Sequence, residues 1–141
     1  MTDSILTPVL VLICWTLFMW LWMYATRIPA MQKAKINAAK MQEKSEMDVL
    51  PKEVRRIADN YNHLHEQPVI FYALIFYAQM AGSATMLMIY AAWTYVALRI
   101  AHSLIQALWN FIPVRFLVFT LSSLVLFVIA GINVGALLGS N

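Results

Sequence analysis

The sequence predicts an all-α integral membrane protein, a four-helix up-down bundle, on three observations. Its 141 residues are 62% hydrophobic and 12% charged, with a mean hydropathy of +0.68, far from the composition of a soluble domain. Four apolar stretches, 5–26, 67–82, 85–109 and 114–138, each come near the roughly 20 residues that a bilayer requires. The breaks between the later stretches are short, which forces neighbouring helices to run antiparallel. Almost nothing remains for a soluble domain, so residues 1–141 read as one membrane domain.

The first stretch has no basic residue before it, is too long for a signal sequence and lacks a small-residue cleavage site, so it reads as a permanent helix over 5–26. Its single cysteine, Cys14, reads as a small buried apolar residue with no disulfide partner. Residues 28–54 are the one sizeable aqueous loop, opened by Pro29, closed by Pro51 and expected to be part helical. Arg27, Lys33, Lys35, Lys40, Lys44, Lys52, Arg55 and Arg56 all fall here or at its edges, which makes the loop cytoplasmic and sends both termini outward. The net charge of +3 is therefore a topology signal, and the interleaved Glu43, Glu46, Asp48, Glu53 and Asp59 argue against a nucleic-acid surface.

After Pro51, the residues Val54, Ile57, Ala58, Tyr61 and Leu64 recur at spacings of three and four, so a second helix over 55–82 begins in the aqueous phase and continues into the membrane. Gly82-Ser83 turns the chain into a third helix, 85–109, and Asn110 to Pro113 breaks it before a fourth, 114–138. Gly131, Gly135 and Gly139 repeat every four residues on this last helix, which favours close helix approach within the subunit or between subunits. Asn133 reads as a helix-helix hydrogen bonder. The five tryptophans read as lipid or interface residues. Such short helices leave no room for a wide channel, and the outward halves offer almost no polar path for transport.

The chemistry lies toward the loop end. Arg99, His102 and Gln106 are spaced three and then four apart, which stacks them on one helical face. An arginine at such depth costs about 2.5–3.5 kcal/mol on insertion scales, so it calls for a partner or a ligand. Glu66 at the membrane entry of the second helix and Arg115 in the first turn of the fourth are expected at similar depth. An ion pair between Arg99 and Glu66 is the structural reading of the stripe. Taken jointly, three or four cationic or donor groups facing one or two carboxylates suit a small, multiply charged anion.

The run from Ala58 to Pro68 (ADNYNHLHEQP), then Phe71-Tyr72-Ala73-Leu74, Arg99-Ile100-Ala101-His102 and Pro113-Val114-Arg115, resembles the MAPEG family, the membrane-associated proteins of eicosanoid and glutathione metabolism. The resemblance covers all four helices. It is closest to the microsomal prostaglandin E synthase branch in the last two helices and to bacterial-type members in the second. It implies a homotrimer with glutathione bound between subunits near the cytoplasmic side, in a bacterial inner membrane. It also implies a glutathione S-transferase-like detoxification activity, with peroxidase activity open, on hydrophobic electrophiles that arrive through the lipid. Carried over by position, Arg115 is the catalytic arginine that activates the thiol. Arg55, Arg56, Asn62, Glu66, Arg99, His102 and Gln106 are glutathione-binding residues. No metal is implied. The chain departs from the family pattern in spacing Asn62 and Glu66 four rather than three apart, and in carrying Gln106 where eukaryotic enzymes commonly have tyrosine. Both departures point to the alternative, a non-catalytic lipid-binding member.

Overall fold

The computed structural model describes residues 4–139; the outermost residues of the expected 1–141 domain lie outside the described residues. The chain forms four helical rods joined end to end. The first, α1, is Leu6–Lys33. The second is broken into α2, Lys52–His63, and α3, Gln67–Ala81. The third is α4, Met86–Leu104, extended by a π-helical turn at Ile105–Trp109, and the fourth is α5, Ile112–Gly139. The rods close into a ring in which α1 lies between α2–α3 and α4, and α5 lies between α4 and α3. Among the described residues there is no strand.

α1, α4 with its π turn, and α5 are each long and apolar enough to cross a membrane. α3 alone is 15 residues, rising about 22 Å, so the membrane-depth part of its rod is short. The pattern of burial is inverted relative to a soluble bundle. Leu17, Leu21, Phe76, Met80, Leu87, Phe116, Phe127 and Leu138 face outward, as hydrocarbon solvent permits, while Arg99 is the largest fully buried side chain. The apolar interior is assembled from Leu12 and Met19 of α1, Phe71 and Ile75 of α3, Met88 and Ala92 of α4, and Ile129 of α5.

Several expected boundaries move. α1 does not stop at residue 26 but runs through Pro29 to Lys33, ending where Lys35 takes a left-handed conformation at φ 56°. The proline removes one backbone donor, and Ala30, Met31 and Gln32 are good helix formers that resume the ladder. The remainder of the expected 28–54 loop holds two short 3₁₀ turns, Ala38–Lys40 and Lys44–Val49. The expected continuous helix over 55–82 is interrupted at residues 64–66. Pro68 has no N–H to bond back to Leu64, so it starts a new helix at its second position, and Glu66 before it is at φ −97°, ψ −94°. Cys14 is on the exposed face of α1, not buried.

Polar links between rods are few and deep. Asn133 on α5 accepts from the Ser83 hydroxyl at 2.8 Å and donates to the Leu74 carbonyl at 3.3 Å, locking the end far from the loop. Gln67 donates to Ser123 at 2.6 Å and accepts from the Tyr95 hydroxyl at 3.3 Å, tying α3 to α5 and α4. The glycines at 131, 135 and 139 face outward, and a Cβ added at any of them would meet nothing within 4 Å among the described residues. They therefore do not serve packing within the subunit.

Candidate functional site

α4 delivers a buried polar column. Arg99, His102 and Gln106 are 1%, 4% and 2% exposed, as their common face requires. Arg99 Nε and Nη1, His102 Nδ1 and Gln106 Oε1 are buried and have no hydrogen-bond partner among the described residues. The Arg99 guanidinium carbon lies 5.9 Å from the centre of the Phe119 ring, within cation-π range. The His102 ring is 6.0 Å from the same phenyl ring and 6.5 Å from His63. Four orphaned polar atoms in a low-dielectric interior are costly unless a ligand satisfies them.

The expected Arg99–Glu66 ion pair does not form. Glu66 is turned outward by the break at 64–66, and its carboxylate lies 3.3 Å from His63 Nδ1, three residues earlier. Among the described residues no carboxylate comes within 4.0 Å of Arg99. A second polar pair sits beside the column, where Asn60 and Ser103 exchange hydrogen bonds at 2.6 and 2.8 Å, both fully buried.

Between the end of α2, α4 and the start of α5 lies a cavity of about 230 Å³. His63, Glu66, His102 and Arg115 supply its polar wall, and Ile112, Phe116 and Phe119 its apolar one. Arg115 is half-buried and donates from Nη1 to Asn110 Oδ1 at 2.7 Å. Asn110 stands in the left-handed conformation at φ 54°, ψ 36°, closing the π turn through its N–H to the Ile105 carbonyl. The extra residue in that turn ends α4 abruptly and aims the Asn110 amide at the first turn of α5. The volume falls below the roughly 300–1,000 Å³ usual for small-molecule pockets.

Of the residues expected from sequence, Glu66, His102 and Arg115 line this cavity, and Arg99 stands behind its Phe119 wall. Gln106 is buried near the column's end and does not line it. Arg55 and Arg56 are half-buried on α2, Arg55 with an unpartnered Nε, and neither lines the cavity. Asn62 is exposed and also lies off it. α2 turns Ile57, Asn60 and Leu64 inward instead, so Asn60 is the α2 asparagine that enters the interior. Its spacing of three from Ile57 and four from Leu64 is a signal that periodicity carries. His63, Asn110 and Phe119 are further members of the site. The sequence marks Asn110 as a helix break, but not its contact with Arg115, which depends on the π turn.

The arrangement presents a fixed guanidinium, an imidazole and a carboxylate-histidine pair around a partly apolar hollow. Such a set can hold an anionic group against Arg115 and admit an apolar one beside Phe116 and Phe119. No curated protein and no solved structure matches the chain. The profile of the MAPEG family matches residues 5–135, nearly the whole of it. With its membrane-length helices and its buried polar column, the chain belongs to the MAPEG family, membrane proteins of eicosanoid and glutathione metabolism.

Proposed function

We propose that this protein is a membrane-bound, glutathione-dependent transferase acting on hydrophobic electrophiles, with Arg115 as the activating residue. The observation that carries this reading is Arg115, held at 2.7 Å by Asn110, at the wall of a cavity that also receives His102 and Glu66. His102 Nδ1 at that wall fits a polar ligand, because it has no hydrogen-bond partner among the described residues, and the Arg99 charge behind Phe119 favours an anionic one. Glutathione supplies the nucleophilic sulfur. Arg115 favours the thiolate; a free thiol has a pKa near 8.5, and each unit of depression needs about 1.36 kcal/mol of preferential stabilisation. Glu66 takes the cationic amino group, and His102 takes a carboxylate, with the Arg99 charge behind Phe119 favouring it. Phe116 and Phe119 receive the electrophile and keep water from the sulfur.

The small cavity suits a site shared between copies of the chain in a homotrimer. Arg55, Arg56 and Asn62, which lie off the cavity of their own subunit, would then complete a neighbour's site. Purified protein titrated with glutathione is expected to bind it and to show thiolate absorbance. Arg115→Ala is expected to lose that absorbance while retaining binding. Absence of binding at millimolar glutathione overturns the proposal.

A second reading, a non-catalytic lipid-binding member, is favoured by one observation. An apolar groove of about 370 Å³ between α3 and α5, lined by Ile70, Leu74, Leu126 and Phe127, shares Phe119 with the polar cavity. A lipid recovered with the purified protein, together with no turnover of any electrophile, would decide for it.

A further inference from the structure

On α1 lies a second hollow, bordered by Arg27, that shares no lining residue with the cavity at Arg115. Arg27 is twenty-one residues after the first residue of α1, a rise of about 32 Å, which is one hydrocarbon thickness. If α1 enters the hydrocarbon near Leu6, the Arg27 side chain stands at headgroup level. There it borders a cavity of about 530 Å³ whose wall includes Tyr24, Ile28, Gln32, Asn37 and Met47.

Arg27 is a cation without a counter-ion in this place. Its Nε is buried and has no hydrogen-bond partner among the described residues. Its Nη1 meets the Met23 thioether at 4.0 Å, a weak and uncharged acceptor. Among the described residues no carboxylate is within 4.0 Å of it. Beside it α1 presents an apolar stripe that runs from Leu17, on the hydrocarbon side, to Ile28, one residue past Arg27 toward the loop. Leu17, Leu21, Tyr24 and Ile28 follow one another at spacings of four, three and four, and they are 60%, 60%, 44% and 46% exposed. The Tyr24 ring rests on Trp20 with centroids 4.7 Å apart, an aromatic pair of the kind that sits at a membrane interface.

A cation at headgroup depth, a roomy hollow with amide side chains on its aqueous side and an alkyl track on the other describe one ligand chemistry. A guanidinium matches two phosphate oxygens with two parallel N–H donors, and the track takes a hydrocarbon chain. We propose that the α1 hollow at Arg27 binds an anionic phospholipid, its phosphodiester on Arg27 and an acyl chain along Tyr24, Leu21 and Leu17. The basic side chains of Lys33, Lys35 and Lys40 add a diffuse attraction for the same leaflet. This site is independent of the transferase reading.

The test uses the full-length protein, delipidated in detergent and offered equal amounts of phosphatidylglycerol and phosphatidylcholine, with retained lipid counted by native mass spectrometry. Phosphatidylglycerol is expected to be retained about fivefold over phosphatidylcholine, the preference that one basic side chain near a charged surface supplies. Arg27→Gln is expected to abolish the preference and Arg27→Lys to keep part of it. Equal retention of the two lipids by the wild type overturns the proposal, and this arm stands even should Arg27→Gln fail to fold. An equal loss in Lys40→Gln also overturns it, by assigning the effect to the net charge of the 34–51 segment. Displacement of the lipid by soluble glycerol phosphate, or by glutathione, overturns it too, since the hollow would then serve a water-soluble anion.

Discussion

Asn110 holds a backbone conformation that few residues enter freely, and its side-chain Oδ1 accepts a hydrogen bond from Arg115 Nη1 at 2.7 Å. Glycine adopts φ 54° without strain, so Asn110→Gly removes the amide while leaving the turn intact. A hydrogen bond to a charged group contributes about 1.5–3 kcal/mol. In the transferase reading, Asn110→Gly is therefore expected to lower kcat by about tenfold or more with little change in KM for glutathione, measured by steady-state kinetics with an aryl halide. A structural role alone would lower the melting temperature and leave kcat in place. The buried pair Asn60–Ser103 makes a different demand. Asn60→Ala strands the Ser103 hydroxyl in the interior and is expected to cost about 1–3 kcal/mol in detergent unfolding. The double variant with Ser103→Ala is expected to recover part of that loss, because both unpaired atoms are then gone.

The helices begin and end where local chemistry is decisive, and drift where it is not. Thr85 caps α4 by accepting from the Met88 N–H at 3.2 Å, following Gly82 in the left-handed conformation at φ 69°. Thr85→Ala is expected to cost about 1 kcal/mol, read as a lowered unfolding midpoint with an unchanged helical spectrum. This turn was legible in the sequence because glycine and a capping threonine act within four residues of themselves. The break at 64–66 was less legible. A membrane helix with a proline can continue when neighbours satisfy the freed carbonyl, so Pro68 in the sequence is compatible with both a kink and a restart. The π turn at Ile105–Trp109 is a third case, since an inserted residue in an apolar helix leaves no mark on hydropathy.

Across the whole molecule, helical rods form a ring whose interior carries a buried arginine at one end and an asparagine lock at the other. The cavity at Arg115 is open and, at about 230 Å³, small for a tripeptide ligand. If a neighbouring copy completes it, glutathione binding is expected to fall away together with the oligomer as the protein is diluted in detergent, with sedimentation and calorimetry followed on the same samples. Binding that survives in the monomer would place the whole site in one subunit. The sequence by itself determined the membrane class, the helical rods and the buried stripe of Arg99, His102 and Gln106, because hydropathy and the 3.6-residue period are local properties of the chain. Only the tertiary structure decided the pairings. Glu66 meets His63 rather than Arg99, and Asn110 holds Arg115. Each of these depends on a break or a bulge a few residues away, where one residue more or less rotates a side chain by about 100° around the helix and so changes what it faces.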